Sequence, residues 1–251
     1  MANAGSMGIL RHIDDPSTTV VAAATATGVT WVSDSTGSGV DFKKAVAAGK
    51  GLHYAGNSTA TDNEVIEFCG NDLNFAAQEG HCEVEILAQF STIGAHNFTF
   101  GFNDAVEEGA AAMELATDTI VATASAFVGI LYDADATNPD LYCVWVNGDT
   151  VGQTSAAGSI GGQEIRMRGI TPSAAQWLYM KVSLDDLGSG NAARATFLAV
   201  DHTGISIEKV FNTTLTRSTP LTYHFVTENR AAAILTTYIK HNNWAQTIPD
   251  M

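Results

Sequence analysis

The chain has 251 residues, a length at which a large β-sandwich still forms one domain. With 12 Lys plus Arg against 27 Asp plus Glu, the formal net charge is -15, a field that repels phosphate backbones and anionic membranes. No basic cluster offers a local exception, so direct nucleic-acid binding is not expected.

Hydrophobic residues make up 45% of the chain, with 11 Phe and 4 Trp, enough for a sizeable core. Charged residues are only 16%, and Thr, Ser, Asn, Ala and Gly take their place. Such a surface suits either faces that pack on other subunits or an ordinary secreted β-protein. No stretch approaches the roughly 18 apolar residues of a membrane span. The start of the chain, with Asp14 and Asp15 before VVAAATA, has the wrong order for a secretory signal. The acceptor patterns at Asn57, Asn97 and Asn212 then read as chance matches in a Thr-rich chain.

Residues 1 to 50 are small and turn-rich and read as an N-terminal arm with a short helix or strand. Asp41 is placed to cap a helix from Phe42 to Ala48 that Gly49 would stop. From Gly51 to residue 251 the text is that of a β domain. Val65 to Phe68 is a short apolar strand. Cys82, Val84, Ile86, Ala88 and Phe90 alternate with Glu83, Glu85, Leu87 and Gln89, a period of two that predicts one core face and one face with two acids in water. Phe98, Phe100 and Phe102 repeat the pattern.

Residues 103 to 120 combine Ala and Glu with Gly109 and predict a long loop with at most a turn or two of helix. Ala124 to Tyr132 and Leu141 to Asn147 predict strands, joined by DADATNPD. Ile165 and Met167 open another strand, with Arg166 and Arg168 pointing away. Trp177 to Val200 reads as a hairpin around Leu187-Gly188-Ser189-Gly190-Asn191. Three further strands cover Ile205 to Lys209, Thr222 to Thr227 and Ile234 to Lys240. The total, roughly ten to thirteen strands with no helices for parallel crossovers, predicts two stacked antiparallel sheets.

The segment WLYMKVSLDDLGSGNAARATFLAV, followed by PLTYHFVTENRAAAILTTYIKHN, resembles the closing half of concanavalin A-like (laminin G-like) jelly-roll sandwiches, in particular those that serve as structural components of tailed-phage particles. Pro220, Glu228, Asn229, Arg230, Ala231, Ala232 and Ala233 stand where that family has a Pro-led strand ending near Arg-Ala-Ala-Ala. The resemblance covers residues 50 to 245. It implies an all-β, two-sheet antiparallel jelly roll and a virion structural role, most specifically a capsid decoration or cement protein. The implied partner is the major capsid protein or a tail component, with the chain as a homo-oligomer on the particle surface. The same sandwich serves lectins and polysaccharide-degrading enzymes, so glycan attachment and catalysis are the competing readings.

Chemical candidates are few. Glu83 and Glu85 share a strand face, but the third acid of a glycosidase Glu-x-Asp-x-x-Glu run is missing, so no catalytic residue is assigned and the chain is read as non-enzymatic. Asp133, Asp135, Asn138 and Asp140 offer hard oxygens for Ca²⁺ in the loop 133–140, with an Asx-rich turn as the favoured reading and no cofactor assigned. His12, His53, His81, His96, His202, His224 and His241 are scattered without a zinc motif, and His224 reads as a packed or surface strand residue. Cys69, Cys82 and Cys143 read as buried thiols, with a Cys69–Cys82 bridge as the alternative. A sugar platform would draw on Trp145, Trp177 or Trp244.

Overall fold

The computed structural model describes residues 9–13, 21–22, 31–153, 158–160 and 162–247. The first strands are β1 (Ile9–Ile13), β2 (Val21–Ala22), β3 (Trp31–Ser35), β4 (Val40–Ala47) and β5 (Gly51–Asn57). There follow β6 (Val65–Gly70), β7 (Cys82–Phe90), β8 (His96–Asn103), β9 (Met113–Ala116) and β10 (Thr119–Ala122). Next come β11 (Ala126–Asp133), β12 (Tyr142–Asn147), β13 (Thr150–Val151), β14 (Ser159–Ile160) and β15 (Gln163–Glu164). The last five are β16 (Trp177–Asp185), β17 (Ala192–Val200), β18 (Ser206–Thr216), β19 (Thr222–Asn229) and β20 (Thr236–Thr247).

Two eight-stranded sheets hold most of them. The first runs β18-β17-β16-β7-β20-β5-β4, with β1 on the same edge of β20 as β5. The second runs β13-β12-β11-β8-β19-β6-β3-β2 and is antiparallel except for the parallel β2–β3 pair. Successive strands β6, β7 and β8 alternate between the sheets, and β7 and β8 each lie beside strands from the far end of the chain. That is the crossing pattern of a jelly-roll sandwich. Among the described residues no helix is long and apolar enough to cross a membrane.

The core lies between the sheets because period-two alternation turns one face of each strand inward. On β7, Cys82, Val84, Ile86, Ala88 and Phe90 are buried, as the alternation predicts. Phe90 stacks on Phe98 with ring centroids 4.5 Å apart, and Phe98 stacks on Tyr132 at 5.3 Å. Toward the other end Trp145 meets Phe211 at 5.6 Å. Each such fully buried ring contributes about 2–3 kcal/mol. Cys69, Cys82 and Cys143 are free and buried, and Cys69 and Cys82 belong to different sheets.

Two expectations are corrected. Asp41 does not cap a helix: residues 40–47 form β4, paired with β5. The reason is Phe42, whose ring is buried against Phe68 at 5.6 Å and whose N–H donates to the Ser33 hydroxyl at 2.9 Å. Tertiary pairing there overrides the helix propensity of Ala and Lys. Residues 103–120 are not a long loop with helical turns either, because β9 and β10 form a ribbon within them. The segment lies over the outer face of the second sheet, and strand-borne carboxylates accept its backbone N–H groups. Glu67 accepts from Glu108 and Gly109, Glu228 from Ala111, and Asp133 from Leu115.

Ile86 has no exposed surface, so Ile86→Asp should lower stability by more than about 4 kcal/mol in urea unfolding, an unpaired charge being placed between the sheets. Melting like the parent would refute this register. Arg230 binds the fully buried Asp133 at 2.7 Å, and Arg230→Ala should cost about 3–5 kcal/mol by the same measurement.

Candidate functional site

The two acids of β7 lie on the outer face of the first sheet, as alternation requires, but they are half-buried and each has its own partners. Glu83 meets Lys181 Nζ of β16 at 2.6 Å and His81 Nε2 at 3.6 Å, while His81 Nδ1 reaches Asp185 at 2.8 Å. Glu85 accepts hydrogen bonds from the Tyr179 hydroxyl and, at 2.7 Å, from Asn243 Nδ2, and His241 Nε2 stands 3.6 Å away. The bonds from His81 and Lys181 hold Glu83 down at about 2, and those from His241, Tyr179 and Asn243 hold Glu85 at about 2. Burial and the adjacent Glu85 push the Tyr179 hydroxyl up. A general acid needs the opposite shift. The two carboxylates therefore act as ionised acceptors that tie β7 to β16 and β20. They do not form a proton-donating pair.

Gln89 was expected to face water and is buried instead: its amide donates to the Ala175 carbonyl at 2.8 Å and its oxygen accepts from Lys50. Lysines also cover aromatic rings on this face. Lys240 sits 5.6 Å from the Trp177 ring and Lys50 sits 4.3 Å from the Tyr238 ring. Trp145 is buried in the core. Trp244 meets Phe75 edge-on at 5.4 Å and forms one wall of a cavity of about 200 Å³ whose rim carries Asn71, Asp72 and Asn74.

The oxygen-rich loop after β11 is divided among different partners. Asp133 is buried, bound to Arg230, and accepts the Leu115 N–H at 2.8 Å. Asp140 meets Arg166 at 3.2 Å and accepts the Thr171 hydroxyl at 3.1 Å. The Asn138 carbonyl accepts the Tyr142 hydroxyl at 2.5 Å, and Asp135 is exposed.

One group was not singled out from sequence. Glu67, Cys69 and His224 place one ligand atom each within 4.8 Å of one another, and all three are buried. Among the described residues neither ring nitrogen of His224 has a hydrogen-bond partner. Burial pushes Glu67 up to about 8, lowers His224 to about 3 and raises the Cys69 thiol. A nucleophilic thiol needs access and a lowered pKa, and Cys69 has neither. Period two does place Glu67 and Cys69 on one face. Only the β6–β19 pairing, with His224 opposite Cys69, completes the group.

No protein-family model matches the sequence, and no curated protein matches it. Solved structures do. A protein of unknown function from Shewanella oneidensis MR-1 is 12% identical with a TM-score of 0.58, over 99% of this chain and 90% of that one. A marine alginate lyase from Aplysia kurodai is 11% identical with a TM-score of 0.55, over 81% of this chain and 86% of the lyase. Peanut lectin is 11% identical with a TM-score of 0.51, over 88% of this chain and 99% of the lectin. At such identities the likeness establishes the fold alone, the concanavalin A-like jelly-roll sandwich of lectin domains.

Glu83 and Glu85 also set an acid limit. Their folded values of about 2 lie below the ordinary 4.5, so the stability they contribute is complete above that ordinary value and is lost as pH falls toward 2. Glu85→Gln should reduce this acid-side loss and cost about 1–2 kcal/mol at neutral pH, a larger effect than an ordinary surface change. Urea midpoints followed from neutral pH down to about pH 2 measure both effects. Parallel pH profiles for parent and variant would contradict them.

Proposed function

We propose that this chain is a non-catalytic structural protein of a tailed-phage virion, displayed on the particle surface as a homo-oligomer and bound to the major capsid protein or a tail component. The observation that carries this reading is the role of the residues on which the phage-particle resemblance rests. Glu228, Asn229 and Arg230 are the fastening of one end of the sandwich. Arg230 joins Asp133, Glu114 and Glu228, while the Asn229 amide donates to the carbonyls of Thr59, Thr61 and Ala233.

Two further features support a protein partner. The charge of -15 opposes DNA. The 11-residue β18 lies at the end of its sheet, with β17 on one side; Glu208 and Lys209 charge its first half, and its last stretch, Asn212–Thr216, carries no charge. An uncharged edge stretch is a place where another chain can pair.

Glycan recognition is the second reading. It is favoured by the lectin-like sandwich and by the cavity walled by Trp244 and Phe75 with amide and carboxylate groups on its rim. Co-expression with the major capsid protein and tail proteins of a tailed phage, followed by density-gradient sedimentation, separates the two. Co-migration with assembled particles at fixed stoichiometry is the expected result. A chain that stays at the top of the gradient and binds a defined glycan on an array would replace the first reading with the second.

A further inference from the structure

The group formed by Glu67, Cys69 and His224 is buried, and its position follows from strand register. Glu67 and Cys69 are two residues apart on β6 and share a face. β19 pairs with β6 so that His224 lies opposite Cys69 and Val226 opposite Glu67. Three different donor atoms, a thiol sulfur, an imidazole nitrogen and a carboxylate oxygen, thus fall within 4.8 Å of one another.

Their surroundings are those of a prepared ligand set. His224 is fully buried, and among the described residues neither of its ring nitrogens has a hydrogen-bond partner. A buried imidazole without any partner is costly, and buried polar groups are rarely left so. Glu67 is held in orientation by the N–H groups of Glu108 and Gly109 at 3.2 and 2.8 Å, the kind of outer support that ligating carboxylates receive. Asp34, opposite Glu67 in the β3–β6 pair, is hydrogen-bonded to Glu107, so additional acidic groups lie beside the site and favour a cation.

We propose that Glu67, Cys69 and His224 bind a zinc ion on the covered outer face of the second sheet. Sulfur, nitrogen and oxygen donors together are the zinc set, with bonds of about 2.3 Å to sulfur and about 2.0–2.2 Å to nitrogen and oxygen. The ligand atoms lie within 4.8 Å of one another, and a zinc tetrahedron with such bonds has edges of roughly 3.5 Å. The thiol proton is released to solvent as zinc binds, and three protein ligands leave a fourth position for water. The site joins β6 to β19, and through Glu67 it reaches the segment that covers the sheet, so its role is to lock that layer.

The test uses the full chain, stripped with a chelator and then titrated with Zn²⁺ and with Co²⁺. One zinc per chain should bind, and at a hundredfold excess over the dissociation constant it should raise the melting temperature by roughly 5 °C or more. Cobalt should show thiolate-to-metal charge-transfer absorption. Cys69→Ser and His224→Gln should each weaken zinc at least about 100-fold, since loss of outer-shell partners alone reaches that range. A stripped parent that takes up neither metal overturns the proposal, as does cobalt binding without the thiolate band. Undiminished binding in a folded Cys69→Ser variant also overturns it. If neither variant folds, the cobalt spectrum of the parent decides.

Discussion

Arg230 is the cation on which the outer layer of the sandwich depends. Its guanidinium reaches Asp133 of β11 and Glu114 of β9 at 2.7 Å each, and Glu228 of β19 at 3.1 Å. Asp133 has no exposed surface, and burying a carboxylate without a cation beside it is costly. With that charge compensated, Asp133 and Glu228 are free to accept backbone N–H groups from Leu115 and Ala111. The segment after β8 is thereby fastened over the second sheet without a regular ladder of its own beyond the short β9–β10 ribbon.

The two outer faces consequently differ in kind. On the first sheet, ions are distributed in pairs and half-exposed, and they join neighbouring strands without leaving a proton to transfer. On the second, the face is sealed. Phe127 lies over Gly129, where an added Cβ would come within 2.3 Å of the ring, and the covering segment closes the rest. Sealing isolates Glu67, Cys69 and His224 from substrates while leaving them close enough to share an ion. A structural role follows from that geometry more readily than a catalytic one.

Edges offer the remaining contrast. β20 is occupied on one side by β7 and on the other by β5 and then β1, so the longest strand of the first sheet has little open edge. β18 is differently placed, at the end of its sheet. A strand so placed leaves one row of N–H and C=O groups without a ladder partner in its sheet.

Period-two alternation is a local property, and what depended on it was legible in the sequence alone. The core face of β7, the three phenylalanines of β8, the β16–β17 hairpin and the two-sheet architecture all follow from spacing within single segments. The shared face of Glu83 and Glu85 was legible for the same reason. Their partners were not, because Tyr179, His241 and Asn243 arrive from β16 and β20, far along the chain. The same holds for residues 103–120, whose Ala and Glu content favours helix. Their path was decided by acceptors on β6, β11 and β19. Asp41 to Ala47 became a strand because β5 offered an edge and the core a place for Phe42. His224 came to face Cys69 only through the register of two strands more than a hundred residues apart in the chain. Sequence determined which residues turn inward, since burial acts on each strand by itself. Tertiary structure decided which polar groups meet, since hydrogen-bond and charge partners are chosen by strand pairing across the chain.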